Sequence, residues 1–324
     1  MGYLNGYDLS VKGFLSTMYN DLDTDAASDN GDASELRIQE MEIDFNIQRD
    51  NLSGTIALQS MGSSDIELEQ AYAMYNITES FAISAGKMAN ITGFESSEAP
   101  KMYQDSRAFF LGNLHGHYNN GIRAGYTSET WEAFATVYDK LWTKSTRSNS
   151  DLDMAYELSL AVSPIQGLTL SIEYAEDDNS DASSMPYRST YIVDQFAGNA
   201  AISSIVENGL SGYAVSSAFD FWITYQIASM LFGFEYSDFE FGNGDKGDSW
   251  LLLANLAFSG RGAITLRYSE EEINGSSTVE SDLMTLSPSY AFTDNLLALL
   301  EYSRGTAFSV IDFDYFAMKG IFTF

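Results

Sequence analysis

The chain has 324 residues, 45% hydrophobic and 14% aromatic but only 19% charged, too rich in rings and too poor in charge for a disordered segment. Sixteen Lys and Arg against 46 Asp and Glu leave a formal net charge of −30, which excludes a surface built to hold nucleic-acid phosphates. Cysteine is absent, so disulfide scaffolds, thiolate metal sites and cysteine nucleophiles are excluded together.

At the N-terminus, Met1 to Gly6 shows no basic region followed by an apolar stretch, so the chain reads as a mature form without a signal peptide. The longest apolar runs, such as Leu251–Ala254 and Met230–Phe234, fall far short of the ~20 residues of a membrane helix. The recurring signal is period two. Met41, Ile43, Phe45 and Ile47 alternate with Glu42, Asp44, Asn46 and Gln48, four polar side chains that no dry core would accept. Tyr156, Leu158, Leu160 and Val162 follow the same rule, and so do Leu168, Leu170, Ile172 and Tyr174 after the turn Pro164–Gly167. Further on come Phe219, Phe221, Ile223 and Tyr225, then Phe232, Phe234 and Tyr236, then Ile264, Leu266 and Tyr268, and finally Phe316, Met318, Gly320, Phe322 and Phe324. Helical spacing fits none of these segments.

Connections alternate in length. Short turns fall at 50–51, 78–80, 128–130, 164–167, 227–229, 259–261 and 293–295, and longer polar connections near 20–35, 61–66, 88–118, 140–151, 176–212, 241–248, 271–281 and 304–311. The pattern predicts about sixteen antiparallel strands closed into one barrel over residues 1–324, with both termini on the short-turn side. A barrel that wide leaves a lumen its side chains cannot fill, so the inner face meets water and the apolar face meets lipid. Aromatics near strand ends, among them Trp131, Tyr156, Tyr174, Trp250, Phe258, Tyr268, Tyr290 and Phe292, would form the interfacial girdles. A soluble sandwich also alternates, but it would turn its apolar face inward and would rarely need such evenly spaced hairpins. Two places fit less well: Leu251 and Leu253 flank the outward Leu252, and Pro288 interrupts the strand from Asp282 to Phe292.

By parity the basic side chains Lys12, Arg123, Arg267 and Lys319 point inward, together with Glu42, Asp44, Glu132, Glu157, Glu173, Asp220, Glu235 and Glu301. The terminal Phe324, in register with Phe322 and Phe316, looks like the C-terminal strand signature of Gram-negative outer-membrane barrels. Gly86–Met88, Gly93–Glu95, Ser106–Phe110 and His117–Tyr126 are similar to segments of the OmpL-like β-barrel porin family. The resemblance implies a bacterial outer-membrane location in contact with lipid and lipopolysaccharide, a homotrimer, and a general diffusion channel for small hydrophilic solutes and ions. It also implies that the third long loop, about 88–118, folds inward to narrow the lumen. That loop carries Glu95, Glu98, Lys101, Asp105, Arg107, His115 and His117. Glu95, Glu98 and Asp105 are expected to face Arg123 and Arg267 across the lumen as a transverse field, and the acidic excess to draw in cations within ~8–10 Å.

Asp21, Asp23 and Asp25, with Asp29 and Asp32, are candidate calcium ligands in an external loop, although the run lacks the sixth-position glycine of an EF-hand. Simple solvation of the loop competes with that reading, and no other cofactor is expected. His117-Tyr118-Asn119-Asn120-Gly121 is similar to the His-x-Ser-Asn-Gly segment of outer-membrane phospholipase A, but Asn119 stands where the serine nucleophile is needed, so catalysis is not expected. His115 and His117 lack a third zinc ligand nearby. Two alternatives remain beside the diffusion porin. Inward Phe14, Tyr72, Phe134, Tyr138 and Trp222 could stack sugars in a substrate-selective porin. A structural or adhesive barrel with calcium-binding acidic loops would instead have a plugged lumen. The long loop 176–212 contains apolar Tyr191–Val193 and Ala200–Ile202, which would fold inward or meet a neighbouring subunit.

Overall fold

Alternating sequences of this kind bury one face whichever medium lies outside, and each hairpin brings the next strand alongside. In the computed structural model, which describes residues 7–26, 29–30, 33–62, 65–95, 98–109, 114–142, 154–177, 215–258 and 260–324, they close a single antiparallel ring. Its strands are β1 (Asp8–Ala26), β2 (Asp29–Asn30), β3 (Ala33–Arg49), β4 (Leu52–Met61), β5 (Glu67–Asn76), β6 (Phe81–Ala89), β7 (Tyr118–Thr127), β8 (Trp131–Tyr138) and β9 (Ala155–Ile165). The ring continues with β10 (Leu168–Glu176), β11 (Val215–Ile227), β12 (Met230–Phe241), β13 (Lys246–Phe258), β14 (Gly262–Asn274), β15 (Thr278–Thr293), β16 (Leu296–Ala307) and β17 (Ile311–Thr323). The two-residue β2 merely prolongs the hairpin between β1 and β3, so the wall is the sixteen-strand closed barrel expected. The seam is β1 against β17, where Gly13 N–H donates to Phe324 O at 3.0 Å and Phe324 N–H to Gly13 O at 2.9 Å.

The apolar face points out. Leu158, Ile172, Leu252, Leu266, Met318 and Phe322 are exposed, while their neighbours Glu157, Ser171, Leu251, Arg267, Lys319 and Ile321 are buried. At the end of the long connections this band stops at tyrosines whose hydroxyls reach one rung further out: Tyr174 donates to Glu176 at 2.7 Å, Tyr268 to Glu270 at 2.5 Å, and Tyr302 to Asp314. A ring that is apolar along its body and hydrogen-bonded at its tip suits the edge of a membrane.

The strands then run on past that edge, which corrects several expected loops. Residues 242–245, 275–277 and 308–310 are all that remain between β12 and β13, β14 and β15, and β16 and β17. Asp21, Asp23 and Asp25 lie inside β1 opposite Phe316, Asp314 and Asp312 of β17, rather than in a loop. Carboxylates at every second position read as a polar connection by composition, yet in water they are compatible with continued pairing. Asp178 and Asp181, Tyr191–Val193 and Ala200–Ile202 of the expected 176–212 loop lie outside the described residues. Pro288 sits within β15, where the ladder to β16 skips Ser287 and Pro288 and resumes in the same register, as a residue without an N–H requires.

A second correction concerns the interior. The expected wetted lumen is polar in its middle, but toward the long-loop end the inner face carries a continuous apolar cluster that includes Leu22, Trp142, Phe239, Phe241, Leu283, Ile311 and Phe313.

Candidate functional site

The connection between β6 and β7 turns into the barrel, and four wall carboxylates receive it. Glu157 Oε1 on β9 accepts the backbone N–H groups of Ile91 (2.8 Å) and Thr92 (2.9 Å) and the Thr92 hydroxyl (2.6 Å). Glu173 on β10 takes Gly93 N–H at 2.7 Å, and Glu235 on β12 takes Phe94 N–H at 3.0 Å. Across the barrel, Glu301 on β16 accepts the N–H groups of Asp105 and Ser106. Each is an inward position of its strand, so period two supplies the acids and the loop supplies donors that would otherwise be buried without partners.

Side chains lock the same crossing. Arg267 on β14 donates from Nη1 to Glu95 Oε1 (2.6 Å) and to Ser106 O (2.8 Å), and from Nη2 to the Ser106 hydroxyl (2.8 Å). Asp105 is fully buried; it forms an ion pair with Lys319 on β17 and accepts from Tyr315 at 2.6 Å and Gln39 at 2.8 Å. Burial pushes the Asp105 carboxyl up, but the Lys319 ammonium and the other donors outweigh it and hold it below the usual carboxylate range. Phe94 packs beside Trp222 with ring centroids 6.0 Å apart and joins Ala108, Phe109, Leu251 and Leu253. The two leucines that fitted a lipid-facing strand poorly are therefore the wall's contact with the loop. His115 and His117 are buried, and burial, then Arg107 and His117, hold the His115 imidazole well below its ordinary value.

The expected transverse field takes another form. Glu95 meets Arg267 directly instead of facing it across open lumen, Asp105 is matched by Lys319, and Glu98 lies 2.7 Å from Lys101 of its own loop. Arg123 serves the wall: its Nε donates to Thr136 at 2.8 Å, and its guanidinium lies 3.5 Å from Glu157. The reason is desolvation, since a charge enclosed between loop and wall is stable only with a partner in contact. Arg107 is buried within the loop, and Lys12 is exposed on β1 in register with Asp44. Parity places Glu173, Glu235 and Glu301 on the inner face, but nothing local marks them as loop receptors. No local signal in the chain points to Gln39 or Tyr315. Gln39 is the unmatched residue of a register shift opposite Ser16 and Thr17, which places it in the lumen beside Glu40.

Among the described residues the only three acids whose ligand oxygens lie within 4.8 Å of one another are Glu40, Glu42 and Glu69, and Asp21, Asp23 and Asp25 form no such group. Phe14, Tyr138 and Trp222 are engaged, respectively by Ala99 and Ile321, by Arg123 and Ala89, and by Glu173 and Phe94.

Comparison with known proteins adds to this geometry. The family model described as "Putative beta-barrel porin-2, OmpL-like" matches residues 9–312. No curated protein matches the chain. Among solved structures, the trimer form of in-vitro folded OmpT, an outer membrane protein of Vibrio cholerae, is 13% identical with a TM-score of 0.65, covering 99% of this chain and 100% of that one. The outer membrane channel DcaP of Acinetobacter baumannii is 13% identical with a TM-score of 0.66, covering 100% and 99%. An anion-selective porin from Comamonas acidovorans is 11% identical with a TM-score of 0.66, covering 98% and 100%. At such identities the likeness is one of fold.

Proposed function

The chain belongs to the OmpL-like β-barrel porin family of the outer membrane, and on that footing we propose that it is a cation-preferring diffusion channel for small polar solutes, assembled as a homotrimer. The observation that carries the preference is the charge left over once the loop is docked. Glu95, Asp105, Glu98 and Glu157 are each met by a base, whereas Asp44 and Glu132 point inward, only partly covered, with no basic group in ion-pair contact among the described residues. A surplus of one sign inside a low-dielectric wall concentrates ions of the other sign and lowers their barrier to entry. One similar fold is that of an anion-selective porin, so the fold itself is no argument for cations. Reversal potentials of the purified protein across a potassium chloride gradient test the proposal; the expected sign is that of potassium permeating faster than chloride, and the opposite sign refutes it. The mass of the detergent-solubilised complex tests the trimer.

A second reading, a structural barrel with a closed lumen, is favoured by the apolar cluster of Phe239, Phe241 and Phe313 inside the long-loop end. Stepwise conductance in planar bilayers excludes it. Saturable, solute-blocked current would instead indicate a substrate-selective porin, a reading weakened by the engagement of Phe14, Tyr138 and Trp222 with wall and loop.

A further inference from the structure

From a cleft between the two limbs of the inward loop we infer a binding station for an uncharged pyranose sugar. The cleft encloses about 170 Å³ and is lined by Phe94 and Glu95 of the first limb and by Lys101, Met102, Tyr103 and Gln104 of the second. Both limbs are anchored to the wall, so the cleft is formed before any solute arrives. Phe94 is held by its N–H on Glu235 and by its ring beside Trp222. Tyr103 is held by its carbonyl, which accepts the Thr265 hydroxyl of β14 at 3.2 Å. Gln104 ties one limb to the other, its Nε2 donating to Glu95 Oε1. Tyr103 is 37% exposed and the Lys101 side chain 66% exposed, so the open side of the cleft is theirs.

Three observations select the solute. Gln104 is 2% exposed, and with its amide N–H given to Glu95 its Oε1 is left as a buried acceptor that no donor meets. The Glu95 carboxylate fixes that orientation, because a flipped amide would set oxygen against oxygen. An acceptor buried in this way costs free energy that a ligand hydroxyl recovers. The charges at the cleft are already engaged, Glu95 with Arg267 and Lys101 with Glu98, which favours a neutral solute over an ionic one. The rest of the lining, Phe94, Met102 and Tyr103, is largely apolar and carries two rings. A pyranose has C–H groups on its faces and hydroxyls around its edge, which suits ring walls and one lone acceptor. A cavity of ~150 Å³ is enough for a six-membered ring, and outer hydroxyls can extend through the open side. One such station slows a sugar in transit without excluding other solutes.

The inference rests on the channel reading, since solutes must reach the loop, but its test reads binding and not current, so the two can fail separately. Glucose is titrated into the detergent-purified full chain and followed by saturation-transfer NMR, with the open-chain polyol mannitol as the comparison. Saturable transfer to the glucose ring protons is expected, and none to mannitol. Tyr103→Ser should weaken glucose about tenfold, the worth of one stacked ring, and Gln104→Met by a similar factor. Tyr75→Ser, on the exposed outer face, should leave it unchanged. Should Tyr103→Ser fail to give the heat-modifiable gel mobility of a folded barrel, Gln104→Met takes its place with the same expectation. Absence of saturable glucose binding by the parent protein overturns the inference. Equal binding of mannitol does so too, as does a glucose affinity that the substitution in a folded barrel leaves unchanged.

Discussion

Replacing Lys319 by Met should free one limb of the inward loop while leaving the barrel standing. Asp105 and Lys319 are 0% and 1% exposed, and with Lys319 gone the Asp105 carboxylate keeps only Tyr315, at 2.6 Å, and Gln39, at 2.8 Å, as side-chain donors. Removing one partner of a buried ion pair costs about 3–5 kcal/mol, because the other charge stays uncompensated. At about 1.4 kcal/mol per tenfold change, the docking equilibrium around Asp105 moves roughly a hundred- to several-thousand-fold toward release. The loss is local, since the Ile91 to Phe94 limb keeps Glu157, Glu173 and Glu235, and the ladder of β17 with β1 and β16 is made by backbone. In planar bilayers Lys319→Met should show flickering excursions to a larger conductance on an otherwise unchanged level, with parental heat-modifiable mobility. Adding Asp105→Asn removes the stranded charge and should quieten the record, giving a coupling energy by double-mutant cycle. A Lys319→Met channel as quiet as its parent would refute the reasoning, as would one that fails to form a barrel.

Acid should loosen the same loop in two stages. His115 is held neutral in the docked loop and would take up a proton near pH ~6.5 once released, so docking is fully favoured above that value and weakens as pH falls below it. Asp105, whose folded value is lowered, adds its own loss only below about pH 4. Current noise rising between about pH 6.5 and 5 in the parent and absent in His115→Gln is expected, and an identical profile in the two would contradict it. Gly93→Ala should undock the first limb, because Gly93 has φ +102° and an added Cβ would lie 2.0 Å from His115 Nδ1; unaltered single-channel noise would count against this. Gly13→Val should damage barrel closure itself, since a Cβ there would lie 2.5 Å from Glu42 O and 2.6 Å from the Phe324 ring, and a normal yield of heat-modifiable protein would show the seam to be more tolerant.

Much of the wall is legible in the chain because strand side chains alternate by necessity. From Met41, Ile43, Phe45 and Ile47 to Phe316, Met318 and Phe322, the outward face can be read two residues at a time, and the short turns give the direction of every strand. Alternation does not say where a strand ends in water, so the carboxylates of Asp21, Asp23 and Asp25 look like a loop although they continue β1. It also assigns parity without partners: Glu301 is plainly an inward acid, but that it receives the N–H of Asp105, 196 residues away, belongs to the closed ring alone. The misfit of Leu251 and Leu253 was the one local trace of the docked loop.

A closed, lipid-facing barrel, an acidic interior and a long third loop all follow from a two-residue period and from connection length. Which charges meet is settled only when the ring closes around the loop. Ion pairing inside the lumen depends on where the loop lies across the ring and on single-residue register shifts at Gln39 and Glu69, each of which moves a side chain to the other face of the wall.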